Sequence, residues 1–228
     1  MFRRSLRLHA VPAESPTDTE KRVAAEAAAE LVEDGMVVGL GTGSTVAFLL
    51  PALSARGLRV NCVATSVATE VAARRLGIDV GRFDEIDRLD ITIDGADQVT
   101  PDGWLIKGGG GAHFREKIVA AAADRFVVIS DSSKPVDELS PPVPLELAKF
   151  GLAATLREIG EVDLRDVPDS PDGGLIADYR GSIEDPVELS AWFMSIPGVV
   201  EHGLFPPRLV SDVIVGRGEA AERLELDR

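Results

Sequence analysis

A chain of 228 residues suits one large domain, or one domain with a small companion, and 45% hydrophobic with 27% charged residues is a globular composition. No apolar run approaches the roughly 18 residues of a membrane span, and a formal net charge of −14 argues against a general nucleic-acid surface. The single cysteine, Cys62, sits in an apolar run without a partner for an internal disulfide, as expected of a cytosolic protein.

Residues 1–16 carry Arg3, Arg4 and Arg7 and no continuing helical period. They read as a short arm, and they lack the apolar core of a secretory signal. Thr17 or Thr19 is a candidate cap for an alanine- and glutamate-rich helix to about Glu33. Met36–Leu40 reads as a buried strand that empties into Gly39-Leu-Gly-Thr-Gly-Ser-Thr45, followed by a helix over Val46–Leu53. Strand, glycine turn and helix make a phosphate cradle: glycines let the backbone close in, and the hydroxyls of Thr42, Ser44 and Thr45 add donors. A plain structural turn is the alternative. There is no Gly-Lys-Ser/Thr ending, so this is not a nucleotide P-loop. Glycines at 39, 41 and 43 also miss the dinucleotide spacing, and the next strand, about Arg59–Thr65, ends without an acid for a ribose.

A helix over Ala68–Leu76 closes at Gly77, and Ile78–Phe83 is a weak strand. Leu89–Ile93 is a stronger one, ending in Asp94-Gly95-Ala96-Asp97. In an open parallel sheet that carboxyl edge is where ligands sit. Two acids there suit a divalent metal, acid/base or hydroxyl contacts, or the capping of a turn, and His9, His113 and His202 are too scattered to assist a metal. After Trp104–Ile106 comes Lys107-Gly108-Gly109-Gly110-Gly111, leading into a helix over Ala112–Ala123. Glycine is costly to order, so such a run serves close backbone approach or positive φ rather than packing. At a helix start it makes an anion site, with Lys107 and Glu116 on its flanks. A flexible linker is the bland alternative.

Arg125–Ser130 is another apolar strand, with Asp131-Ser-Ser-Lys134 at its carboxyl end. Four such strand ends separated by helices predict an α/β fold with a mostly parallel sheet. From Pro135 the texture changes. Strands at Val143–Leu147, Val162–Val167, Gly174–Tyr179 and Val199–Phe205, with helices at Gly151–Ile159 and Pro186–Ile196, give the β-α-β-β-α-β order of a split βαβ unit. Ser211–Val215 returns to the large sheet. The expected division is a Rossmann-like part over 17–138 plus 206–228 and a ferredoxin-like α+β lobe over 139–205.

Only five of the 24 basic residues are lysines, Lys21, Lys107, Lys117, Lys134 and Lys149. Acid excess with few lysines is expected of a protein kept soluble in concentrated salt, and it makes the lysines beside glycine loops more telling.

The segments 39–45, Asp94–Asp97, Lys107–Gly110 and Arg115-Glu116-Lys117, in this order and spacing, resemble ribose-5-phosphate isomerase of type A, as do Asp131–Lys134, Val143-Pro-Leu-Glu146 and Ile196-Pro-Gly-Val-Val200. The likeness runs from Thr17 to about Gly216. It implies a metal-free, cofactor-free interconversion of ribose 5-phosphate and ribulose 5-phosphate in the pentose phosphate pathway, by a cytoplasmic homodimer or homotetramer that binds no nucleic acid or membrane. By matching position, Glu116 is the implied base; the chemistry of an enediolate makes Lys107 a candidate donor to its oxygen and Asp94 and Asp97 candidates for holding hydroxyls and opening the ring, with the division between the two acids left open. Thr42, Gly43, Ser44, Thr45, Asp94, Gly95, Ala96, Asp97, Lys107, Gly108, Gly109, Gly110 and Lys134 are the implied substrate contacts, and Lys21 joins them through spacing alone. Gly111 and His113 depart from the family pattern after Lys107. A helix N-terminus lowers the pKa of Glu116 while desolvation raises it, so a base ionised near neutrality is expected. The rivals are a non-catalytic sugar-phosphate sensor and another enzyme of the wider fold, such as an amino-sugar-phosphate deaminase or a lactonase.

Overall fold

The computed structural model describes residues 14–224 and 226, so most of the expected N-terminal arm lies outside the described residues. Helix α1 (Pro16–Ala29) begins earlier than the threonine caps predict. The Ser15 hydroxyl oxygen accepts the Asp18 N–H at 3.1 Å, and Pro16 needs no donor at the first helical position. Its buried stripe is all alanine (Ala24, Ala25, Ala28, Ala29), which lets α1 lie close against its neighbours.

Next come β1 (Val37–Leu40), α2 (Ser44–Ala55), β2 (Asn61–Ala64), α3 (Val67–Arg75), β3 (Ile91–Gly95), β4 (Gln98–Val99), β5 (Leu105–Ile106), α4 (His113–Ala121) and β6 (Phe126–Asp131). The weak strand expected at Ile78–Phe83 does not form. Val80 makes an isolated bridge to Cys62, and Phe83–Glu85 is a 3-10 turn. The chain continues through β7 (Val143–Leu147), α5 (Leu152–Ile159), β8 (Val162–Leu164), β9 (Leu175–Tyr179), α6 (Pro186–Ser195), β10 (Val199–His202), β11 (Leu204–Phe205), β12 (Asp212–Arg217) and β13 (Ala220–Leu224).

The main sheet runs β13-β12-β6-β3-β1-β2, with every pair parallel except β12 with β13. β13 is an exposed, polar edge strand, which no apolar alternation announced. From β1 the chain passes first to β2 on one side and then to β3 on the other. The carboxyl ends of β1 and β3 therefore flank the switch point where open sheets hold ligands. Leu49, Leu50 and Leu53 of α2 pack with the α1 alanines over Val38, Leu40, Ile91 and Ile93 to form the larger core.

The second sheet is antiparallel in the order β10-β7-β9-β8, that is fourth, first, third and second of its own strands, with Phe193, Tyr179 and Trp192 packed together over it. The single strand expected over Val199–Phe205 is divided. β10 stays with β7, while β11 pairs with β5 in a three-stranded sheet. Gly203, between them, accepts the Lys107 N–H at 2.9 Å and donates to the Pro144 carbonyl at 2.7 Å. That crossing ties the second sheet to the start of the glycine loop.

Candidate active site

After β1 the chain turns through Gly41, Thr42 and Gly43 into α2, whose first residue is Ser44. No side chain caps this helix, so its first N–H groups face the space above the turn. A side chain at Gly41 is impossible: its Cβ would lie 1.9 Å from the Asp94 carboxylate. The two strands meet so closely that Asp94 accepts the N–H groups of Thr42 at 3.1 Å and Gly95 at 2.7 Å. Thr42 is steadied further by a 2.8 Å hydroxyl contact with Thr65, and Thr69 donates its hydroxyl to the Gly41 carbonyl. Thr65 and Thr69, buried behind the turn, carried no signal in the sequence beyond being hydroxyl residues after a strand.

Behind this turn lies a cluster of three buried charges. Lys107 Nζ stands 3.0 Å from Asp94 and 3.1 Å from Glu116, and also bonds the Gly95 carbonyl. Burial pulls the lysine pKa down, but the two carboxylates outweigh it and lift it above the ordinary value. Burial pushes Glu116 up to about 8, helped by the negative charge of Asp94 and opposed by Lys107. Asp94 is raised as well, first by burial, against the pull of Lys107 and its two N–H donors. One lysine cannot neutralise two buried carboxylates. Burial therefore holds both acids above their usual range, and Asp94 has two backbone donors where Glu116 has none among the described residues. The sequence expectation set a helix terminus against desolvation, and in the structure burial is the first cause of an upward shift.

A cavity of about 240 Å³ opens above the cluster, below the roughly 300–1,000 Å³ of drug-sized sites and suited to a small metabolite. Lys21, Thr42 to Thr45, Gly95 to Asp97, Lys107 to Gly110, Glu116 and Lys134 line it. Every residue expected from the sequence to act on or contact the substrate thus lines the cavity except Asp94, which sits behind Lys107. Asp97 is at the exposed rim and accepts the Gly109 N–H at 2.8 Å. Lys21 and Lys134 reach the phosphate-cradle side from α1 and from the turn after β6. His113 is excluded from the cavity. It is buried beneath Gly108, and burial, then Lys117, lowers its pKa to about 3.

An uncapped helix start, polar turns and two lysines thus surround a cavity with a buried carboxyl–ammonium cluster on its wall, the layout of an enzyme site for a small anionic substrate. The comparisons agree. The family model described as Ribose 5-phosphate isomerase A (phosphoriboisomerase A) matches residues 61–220. A second, DeoR C terminal sensor domain, matches only residues 17–81, which include the glycine turn and stop short of Lys107 and Glu116. Ribose-5-phosphate isomerase A of Caulobacter vibrioides is 46% identical over 224 residues, covering 91% of this chain and 98% of that protein. The crystal structure of ribose 5 phosphate isomerase A from Neisseria gonorrhoeae superposes with a TM-score of 0.89 at 36% identity, covering 93% of this chain and 98% of that one. A D-ribose-5-phosphate isomerase solved in complex with phospho-erythronic acid gives 0.86 at 35% identity, covering 92% and 99%. The chain belongs to the ribose 5-phosphate isomerase A family and is an aldose–ketose isomerase.

Proposed function

We propose that the protein interconverts D-ribose 5-phosphate and D-ribulose 5-phosphate by proton transfer through a cis-enediolate, with Glu116 as the carrier. The observation that supports this best is the meeting of Glu116 and Lys107, 3.1 Å apart, on the wall of a cavity whose opposite end is an uncapped helix start. The phosphate takes the N–H groups and hydroxyls of Thr42 to Thr45, balanced by Lys21 and Lys134. That anchoring holds C1 and C2 of the open-chain sugar under Glu116.

Ionised Glu116 removes the C2 proton, and the electron pair of that C–H bond forms the C1–C2 double bond while the carbonyl pair moves onto O1. Lys107 and the glycine-loop N–H groups receive the negative oxygen, a role worth roughly 3–4 kcal/mol per donor. A proton shifts from O2 to O1, and Glu116 returns its own to C1, leaving the ketone at C2. Asp97, at the rim, bonds sugar hydroxyls and assists ring opening. Asp94, behind the lysine, keeps Lys107 charged and aimed. The ammonium fills the gap between the two carboxylates, which supports a reaction run without a metal. Phospho-erythronic acid, a phosphorylated sugar acid bound by a relative, is expected to compete with substrate here. The family likeness further supports a cytoplasmic dimer or tetramer, which light scattering of the purified protein tests.

The decisive experiment mixes the protein with ribose 5-phosphate and follows ketose formation with a chelator present. Chelator-resistant production of ribulose 5-phosphate is expected. No ketose from wild-type protein, or activity abolished by the chelator, sinks the reading.

A further inference from the structure

The glycine loop after Lys107 is by composition the softest backbone at the site, yet it is fastened from outside the cavity. Arg165, just past β8, donates through Nη1 to the carbonyl oxygens of Gly108 at 2.9 Å and Gly109 at 3.0 Å. Its Nε and Nη2 are committed to Asp178 of β9 at 3.0 and 2.6 Å, so the guanidinium is itself held. Gly108 has φ +107°, a conformation that only glycine adopts freely, and Gly111 closes the turn by donating to the Gly108 carbonyl at 3.0 Å. In a trans peptide the N–H points opposite to the carbonyl. Fixing the carbonyls of Gly108 and Gly109 on Arg165 therefore turns the N–H groups of Gly109 and Gly110 away from it. The first is taken by Asp97 at 2.8 Å. The second has no hydrogen-bond partner among the described residues, and Gly110 lines the cavity. The same hairpin also touches the base helix, through Asp172, which accepts Arg115 Nε and Nη2 at 2.8 Å each.

We propose that Arg165 is a positioning residue for the isomerisation, acting through the carbonyls of Gly108 and Gly109 to fix the loop and to aim and polarise the Gly110 N–H at the oxygen that turns negative. The inference rests on the enediolate reading above. Arg165 does not line the cavity, so its charge reaches the reacting oxygen through the two peptide groups. A cation on a carbonyl strengthens the N–H of the same peptide. The benefit grows as charge develops, so it belongs to turnover rather than to ground-state binding.

The test compares Arg165→Ala, Arg165→Lys and Asp178→Asn with wild type. Arg180→Met is the control, because Arg180 also faces Asp178, at 3.7 Å, but bonds outward to Asp163 and does not touch the loop. Arg165→Ala is expected to lower kcat roughly 10- to 100-fold with KM within about threefold, and millimolar guanidinium is expected to restore part of the loss. Arg165→Lys falls between, Asp178→Asn moves the same way by less, and Arg180→Met matches wild type. Phospho-erythronic acid, whose carboxylate offers an anionic oxygen, binds Arg165→Ala more weakly, while inorganic phosphate binds it as it binds wild type. A raised KM at constant kcat, or undiminished phospho-erythronic acid affinity, overturns the proposal. If Arg165→Ala does not fold, Arg165→Lys and Asp178→Asn decide on the same split. Wild-type protein that makes no ribulose 5-phosphate defeats the isomerase reading, whereas active wild type matched by Arg165→Ala defeats this inference alone.

Discussion

Helix α4 separates two buried lysine–carboxylate clusters whose side chains come from neighbouring positions, Glu116 and Lys117. On one side Lys107 stands between two carboxylates on a cavity wall. On the other Lys117 pairs with Glu201 at 2.7 Å and with the His202 carbonyl at 2.6 Å, closed beneath β10. The two ammonium groups even flank one ring, 5.6 and 5.0 Å from the centre of Phe205. Their charges nonetheless go opposite ways. Two carboxylates outweigh burial and lift Lys107. A single one fails to, so burial lowers Lys117 to about 8, and His202 beside it is held near 2 by burial and by Lys117. Similar residues thus make a candidate reactive site where negative charge is in excess and facing a cavity, and a structural pin where it is balanced and turned away from the cavity.

Removing the carboxylate on the reactive side has the largest expected effect. Glu116→Gln should cut kcat by roughly 10³- to 10⁴-fold, the upper part of what a general base contributes, with KM little changed; turnover within tenfold of wild type would remove Glu116 from the chemistry. The variant also reads the charge excess through stability. Glu116 is pushed up to about 8 in the folded protein from an ordinary value of 4.5 in the unfolded chain, so the folded state holds the extra proton between those pH values. Its contribution is full below about 4.5 and is lost as pH rises through about 8. Melting temperatures of Glu116→Gln relative to wild type should therefore climb from pH 5 to pH 9. The acid limb of kcat/KM should likewise lie well above the usual carboxylate range, since the proton must leave Glu116 before it acts. A pH-independent difference in melting, with an acid limb near 4.5, would mean that burial does not raise Glu116 as argued.

The closed side predicts the reverse. Lys117→Met should lower stability by about 2–3 kcal/mol, somewhat less than the loss for breaking a fully buried pair because Lys117 and Glu201 keep about 15% of their exposure, and kcat should stay within about threefold. Lys117 is depressed from 10.5 to about 8, so the folded state holds fewer protons between those values and wild type gains stability as pH rises across them. The variant lacks that gain, and thermal melts at pH 7.5 and 10 measure it. A fall in kcat as deep as that of Glu116→Gln, with melting unchanged, would erase the distinction between the two sides.

Much of this was legible in the sequence because the phosphate cradle and the glycine loop are local: a strand, a polar turn and a helix start within a dozen residues declare their own geometry. Glycine at 41 and hydroxyls at 42, 44 and 45 are all needed in one short stretch. What was not legible depends on pairs distant in the chain. Arg165 meets the loop more than fifty residues away, and no local period marks an arginine after a short exposed strand as belonging to an active site. The retreat of Asp94 behind Lys107 was hidden for the same reason, since strand alternation gives the face of a side chain and not what comes to lie in front of it. The division at Gly203 escaped because apolar residues at both ends of Val199–Phe205 let it read as one strand. The upward shift of Glu116 depends on burial and on a balance of charges that only the assembled cluster fixes.

The smallest effect is expected at the phosphate end, away from both clusters. Thr45 lies in the first turn of α2, nearly buried, with its side chain on the cavity. Valine keeps its shape and removes one donor to the phosphate. A hydrogen bond to a charged group is worth roughly 1.5 kcal/mol, so Thr45→Val should raise KM by about tenfold. The phosphate is held alike in substrate and transition state, so kcat should change by less than about twofold. No ionisable group is altered, and the pH slopes assigned to Glu116 and Lys117 should therefore remain as in wild type. Steady-state kinetics at several pH values measure both features at once. A large drop in kcat would mean that Thr45 touches the reacting carbons rather than the anchor, and the cavity would have to be read with its ends exchanged.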